Sequence, residues 1–302
     1  MPRTRRVRAN ARDVQTLAAV GEYGVLDREL CHLLCYAHYS TEWCRQNLAR
    51  LTQSGLLRAT ALQVWHDDED TRGGRIPLLY SLSPTGAEIV QLRTGIAPRR
   101  ILRSDPAAAT FWHRLQVVRV RVAFDQAAAR VALPAPCWIM EEDLCPHRPH
   151  DRMPNTRRIL YHEFRTETGK SFTCQPDSAA VMTIPHPSGI EAQASSLAIY
   201  FEIDRSREGI AQCLKKIAGY SCLFERRDFP YWAHLRNPVF RVLWVVPSDE
   251  RIEHLIAAFS SSPIAQLFRF ATFDDCRPDR ILTQPIWFNM QGDPMTLYRQ
   301  DA

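Results

Sequence analysis

The amino-acid sequence predicts an α/β chain with more than one domain, and three observations carry that reading. At 302 residues with 45% hydrophobic content, the chain is long enough for two domains with cores of their own. Its N-terminal part runs helix, helix, helix and then two strand-like segments, punctuated by glycine. Its later part alternates short apolar runs with helical periodicity, the order that builds a sheet flanked by helices.

Residues 1–12 hold five arginines and no acidic side chain. Such a stretch suits a basic arm that neutralises phosphates, and equally a solvated terminus with no role. The first domain is expected over residues 13–94. Its helices are expected at 13–20, 27–36 and 41–54, with Asp27 and Ser40 as N-caps and Gly21, Gly24 and Gly55 as punctuation. In the third helix Cys44, Leu48 and Leu51 form an inward stripe, which turns Glu42, Arg45, Gln46, Ala49, Arg50 and Gln53 outward. Arginine reads guanine edges or grips phosphate, and glutamine reads adenine edges. Arg45, Gln46, Arg50 and Gln53 are therefore the candidate contacts to double-stranded DNA.

Strand-like runs at 57–65 and 76–82 follow, and helix, helix, helix, hairpin is the order of a winged helix-turn-helix. Arg72 and Arg75 in the hairpin loop are two further candidate DNA contacts. The loop tip, Asp67-Asp68-Glu69-Asp70, is acidic and repels phosphate, so it is assigned to solvent or to a protein partner. A winged helix that touches only protein is the competing reading. Pro84 opens a fourth helix to residue 92, and residues 95–109, with Pro98, Arg99, Arg100, Arg103, Pro106 and an alanine run, suit a linker.

The second domain is expected over residues 110–302. It opens with a helix at 111–130, with Leu115, Val118 and Val122 on one side and His113 near its start. A strand at 137–144 then offers Glu141 or Glu142 as an added acid. Cys145, His147 and His150 lack the spacing of a structural zinc site. The stretch 176–220 carries the chemistry. Residues 197–204 read as a buried strand ending in Glu-Ile-Asp, and alternation puts Glu202 and Asp204 on one face. Asp177 follows Pro176 and precedes the apolar run 179–184, a neighbouring strand with a third carboxylate. Mg²⁺ is held by one or two carboxylates together with substrate phosphate oxygens, so Asp177 and Glu202 are its candidate ligands. The helix that follows carries Ile210, Cys213, Leu214 and Ile217 as its apolar stripe, and Lys216 and Tyr220 lie one turn apart on another face. Only three of the 38 basic residues are lysines, which makes Lys216 a poor match for surface filler. A polar exit from the core and a turn opener are the simpler readings of Glu-x-Asp and Pro-Asp. Strands at 239–246 and 268–273 and a helix at 249–259, capped by Ser248, complete a βαβ crossover.

Pro-Asp, then Glu-x-Asp at a strand end, then Lys-x-x-x-Tyr, resembles the PD-(D/E)XK nuclease-like fold. Within it the chain resembles the replication-relaxation family of plasmid and mobile-element proteins, which join a winged helix to such a domain. The resemblance implies catalytic roles for Asp177, Glu202, Asp204, Lys216 and Tyr220, with Mg²⁺ as cofactor. It also meets two departures: Asp204 stands where the nuclease pattern has lysine, and the helix at 111–130 contains no glutamate. Lys216 would then have to do the missing lysine's work. Without cleavage, Arg205, Arg207, Lys215 and Lys216 would still hold a nucleic-acid backbone.

Composition narrows the classes further. No apolar run approaches the roughly 18 residues of a membrane span, and the start lacks the apolar core of a signal peptide, so a cytoplasmic protein is expected. Nine scattered cysteines without Cys-x-x-Cys read as reduced thiols. The net charge of +5 comes mostly from arginine, which suits phosphate recognition. The expected function is DNA binding in plasmid replication, relaxation or transfer, with a nuclease-like domain. The alternatives are an active Mg²⁺-dependent endonuclease, a winged-helix transcription regulator with a ligand-sensing or homodimer-forming second domain, and an accessory that docks a relaxase or replication initiator.

Overall fold

The chain is described from a computed structural model that covers residues 9–61, 78–99, 108–145, 157–165, 169–185, 194–206, 208–226, 235 and 238–299. It divides into two compact units, Met1–Arg119 and Val120–Ala302.

In the first unit α1 (Ala11–Tyr23) starts earlier than its apolar periodicity suggests, because Asn10 and Asp13 form a reciprocal capping box. Asn10 accepts from the Asp13 amide at 2.9 Å and Asp13 from the Asn10 amide at 3.0 Å. Residues 10–12, expected in the basic arm, are thus part of this helix start. The helices α2 (Arg28–Cys35) and α3 (Thr41–Gln53) have the expected caps: Asp27 accepts from Leu30 at 2.8 Å and Ser40 from Trp43 at 3.1 Å. Cys44, Leu48 and Leu51 are fully buried, as the stripe requires.

Strands β1 (Leu57–Ala61) and β2 (Leu78–Leu82) pair antiparallel with Leu57 opposite Leu82. Leu26 adds a bridge to Tyr80 through two backbone hydrogen bonds of 3.0 and 2.8 Å, so the hairpin gains a one-residue third rung. The acidic tip 67–70 and both Arg72 and Arg75 lie outside the described residues. Helix α4 (Pro84–Thr94) has Ser83 as cap and Pro84 in its first turn, and it ends on Gly95 in the left-handed region at φ 74°. Helix α5 (Ala108–Arg130) begins three residues before the expected start, and the division between the units falls within it.

The second unit is built on a seven-stranded mixed sheet, and the chain as a whole is α/β. In chain order its members are β3 (Cys137–Met140), β6 (Ser178–Ile184), β7 (Ser195–Ile203), β8 (Pro238–Val246), β9 (Phe268–Thr272), β10 (Trp287–Phe288) and β11 (Pro294–Met295); β4 (His162–Arg165) and β5 (Ser171–Cys174) form a separate hairpin. The spatial order is β11-β10-β9-β8-β7-β6-β3. The three central strands β7, β8 and β9 are parallel and the flanking pairs antiparallel. The parallel connections run through α6 (Ile210–Arg226) and α7 (Asp249–Phe259), the crossover that the apolar runs predict. One sheet face presents Tyr200, Val242, Trp244, Phe268 and Phe270 to Cys213, Ile217, Tyr220, Leu255 and Phe259 of α6 and α7. The other presents Phe201, with Trp138 and Trp287, to Phe124 of α5.

Gly219 sets how closely α6 approaches the β4–β5 hairpin. A Cβ there would lie 2.3 Å from the Thr173 carbonyl oxygen and 2.8 Å from its carbon. Both are backbone atoms, which cannot rotate away. Gly219→Ala is expected to destabilise the protein by about 1–3 kcal/mol through overpacking, read as a shifted urea midpoint. An unchanged midpoint would show that α6 has slack here.

Candidate functional site

Strand β7 carries two carboxylates on one face, as its alternation predicts, but they do not form one cluster. Glu202 is 1% exposed, and both of its oxygens are engaged by α6: Tyr220 Oη donates to Oε1 at 2.7 Å and Lys216 Nζ to Oε2 at 2.8 Å. The one-turn spacing of Lys216 and Tyr220 is what lets a single helix supply both donors. Asp204 is instead claimed by α7. Arg251 forms an ion pair with its Oδ2 at 2.6 Å, while its Oδ1 accepts from the Ser206 amide at 2.7 Å. Asp177, at the start of β6, accepts from the Ile203 amide at 2.7 Å and donates its own amide to Phe201 at 3.0 Å. It therefore staples β6 to the end of β7.

Two partners escape sequence reasoning. Glu208 gives Lys216 a second carboxylate at 3.0 Å. Arg251 also donates to the Glu208 carbonyl at 2.7 Å, tying α7 to the start of α6. Arginine in the first turn of a helix opposes the macrodipole, so its position three residues after the Ser248 cap was a signal that it serves a carboxylate elsewhere. Glu141, one of the two expected candidates for an added acid, is bound by Arg158 and by Gln175 at 3.1 Å. His147 and His150 lie outside the described residues, and all nine cysteines are free thiols.

The electrostatics follow from burial. Desolvation pushes the Glu202 carboxyl up to about 7, against the pull of the Lys216 ammonium, and the nearby Asp177 charge pushes the same way as burial. Burial also works against the Lys216 ammonium, but Glu202 and Asp177 outweigh it and hold the lysine well above its ordinary range. Burial and the Glu202 charge push the Tyr220 phenol well up, so it remains a donor. The Lys216 Nζ also lies 5.7 Å from the Trp244 ring centroid, a cation–π distance.

These residues do not fit a Mg²⁺ ion as they are arranged. Mg²⁺ needs carboxylate oxygens open to it. Both Glu202 oxygens are hydrogen-bonded, an ammonium stands beside one of them, and an Asp177 oxygen is used by a backbone amide. Among the described residues no group of three or more His, Cys, Asp and Glu side chains could hold a metal.

On α3, Arg45 and Gln46 are exposed and share one partner. Glu42 accepts from Arg45 at 2.7 and 2.6 Å and from Gln46 at 2.9 Å. The Arg45 fork, followed by the Gln46 bond, lowers the Glu42 carboxyl to about 2. Gln53 is exposed at the end of the helix. Arg50 is also exposed, but its guanidinium is engaged: it pairs with Asp13, which is 1% exposed, and donates to Asn47 at 2.6 Å. Beside the helix start, Tyr39 and Trp43 stack at 4.5 Å while still about two-fifths exposed, and the Arg12 guanidinium lies 4.7 Å from the Tyr39 ring centroid. Sequence reading gave this pair no role.

The buried trio makes a pH-dependent prediction. With a folded pKa raised from 4.5 to about 7, Glu202 contributes stability that is full below pH 4.5 and lost as pH rises through about 7. Lys216→Met removes the cation that holds this loss in check. The variant should be less stable than wild type by about 3–5 kcal/mol at pH 8, with a smaller deficit at pH 5, in urea unfolding. Adding Glu202→Gln should recover most of the loss. A Lys216→Met protein as stable as wild type at pH 8 would contradict the role given to the ion pair.

No helix among the described residues is long and apolar enough to cross a membrane. No curated protein and no solved structure matches the chain. A family model described as replication-relaxation matches residues 17–231, which is more than half of the chain and runs from within α1 through the 176–220 stretch. The chain belongs to the replication-relaxation family.

Proposed function

We propose that this is a DNA-binding protein acting in the replication or relaxation of plasmid or other mobile-element DNA, with a second unit that binds without cutting. Family membership supports the role in replication and relaxation. The first unit is read as a winged helix-turn-helix: three capped helices, an antiparallel hairpin and the Leu26 rung support it. The second is read as a PD-(D/E)XK-like domain, in keeping with its mixed sheet and the strand-end carboxylates.

The observation that carries the reading is the closure of Glu202 by Lys216 and Tyr220. A nuclease of this pattern needs its carboxylate turned toward a metal. Here a lysine takes the place of the cation, so the same residues stabilise the unit and leave no open acidic pair for phosphodiester chemistry. Asp204 serves the α7 contact rather than the reaction.

For DNA contact the reading favours Arg45, Gln46 and Gln53 over Arg50. The Arg45–Glu42 pair has both side chains more than half exposed, and such pairs add little stability. Arg45 can leave Glu42 for a phosphate at small cost. Arg50 cannot do so without exposing the buried Asp13 charge.

Fluorescence anisotropy of the full chain on duplex DNA over a salt series tests this. Arg45→Ala should weaken binding and flatten the log–log salt slope by about one. Glu42→Gln should tighten binding, because a competing carboxylate is gone. Unchanged binding in an Arg45→Ala/Gln53→Ala double variant would sink the assignment of α3. Binding restricted to one palindromic site by a homodimer would favour the transcription-regulator reading instead.

A further inference from the structure

At the opposite end of the sheet from Glu202 is a cavity of about 160 Å³, where β7, β8 and β9 begin and β11 ends. Arg241 on β8 and Arg269 on β9 line it, together with Ser195, Ser196 and Thr296. Alternation separates it from the carboxylate cluster by face as well: Val242 and Phe270 point into the α6–α7 core, so Arg241 and Arg269 point to the other side.

The two arginines are unusual in what they lack. Each spends only Nη1, and only on main-chain carbonyls: Arg241 on Phe240 at 2.6 Å, Arg269 on Gln266 at 2.9 Å and Phe268 at 2.6 Å. Nε and Nη2 of both have no hydrogen-bond partner among the described residues, and no carboxylate there pairs with either. Both are half-buried, and burial lowers both guanidinium pKa values, with the Arg241 charge lowering Arg269 further. Two like charges taken partly out of water, with no acid paired to them among the described residues, are a cost to the fold. Each guanidinium keeps a free N–H edge, the geometry that grips a tetrahedral oxyanion in bidentate fashion.

We propose that this cavity is a binding site for a single phosphate group, held by Arg241 and Arg269 with Ser195, on the same strand face, and Thr296 as further donors. Its volume is large enough for a phosphate. Free phosphate and the terminal phosphate of a polynucleotide share this chemistry. The site stands on its own residues and does not depend on the reading of α3 or of Glu202.

Inorganic phosphate titrated calorimetrically into the full chain, at low salt and free of other multivalent anions, tests it. One saturable site per chain is expected, weakened at least about tenfold by Arg241→Gln and by Arg269→Gln. In phosphate-free buffer both variants should melt at or above the wild-type temperature, since each removes one of two repelling charges. No saturable uptake up to about 10 mM, equal affinity in the variants, or a fall in their melting temperature without phosphate would overturn the proposal. Competition by a 5′-phosphorylated but not a 5′-hydroxyl oligonucleotide would support the site with a polynucleotide end as its ligand. Competition by neither would support it with free phosphate as its ligand.

Discussion

The second unit depends on one buried contact, the Lys216 ammonium against the Glu202 carboxylate with Tyr220 closing the other oxygen. A carboxylate with 1% exposure at the end of a central parallel strand would be very costly alone. The two donors that satisfy it make it tolerable, and they do so by fixing one face of α6 over β7. The same helix meets Thr173 through Gly219 and carries Cys213, Ile217 and Leu223 into the core. Register, helix rotation and charge neutralisation are thus decided together. Arg251 repeats the arrangement one strand-end further on, binding Asp204 and the Glu208 carbonyl so that α7 is tied to the start of α6.

The consequence for function is a division of labour within an acidic motif. Asp177, Glu202 and Asp204 sit in the order that a metal-dependent nuclease would use, but each is spent on the fold. Asp177 accepts from a strand amide, Glu202 from a lysine and a tyrosine, and Asp204 from an arginine.

Much of this was legible in the sequence, and what was not has identifiable causes. The helix periods and caps at Asp27, Ser40 and Ser248 located α2, α3 and α7, because side-chain capping is a local interaction. The spacing of Lys216 and Tyr220 pointed to a shared helix face, and Glu202 is where that face leads. Alternation placed Glu202 and Asp204 on one face but could not say that each would meet a different cation. That depends on α7, which is 47 residues beyond Asp204 at Arg251. Arg50 is exposed, as its period predicts, but the period could not show that Asp13 of the α1 capping box would be its partner. The Arg241–Arg269 cavity was invisible for a similar reason: only the parallel register of β8 and β9 makes neighbours of two arginines so far apart in sequence.

The most direct test of this account is metal uptake. Mg²⁺ and Mn²⁺ would be titrated calorimetrically into the full chain, with and without DNA, and the same samples incubated with supercoiled plasmid. With Lys216 holding Glu202, no saturable metal binding at this cluster and an intact plasmid are predicted. Stoichiometric uptake together with nicking, both abolished by Glu202→Gln, would contradict the claim that the lysine has replaced the metal.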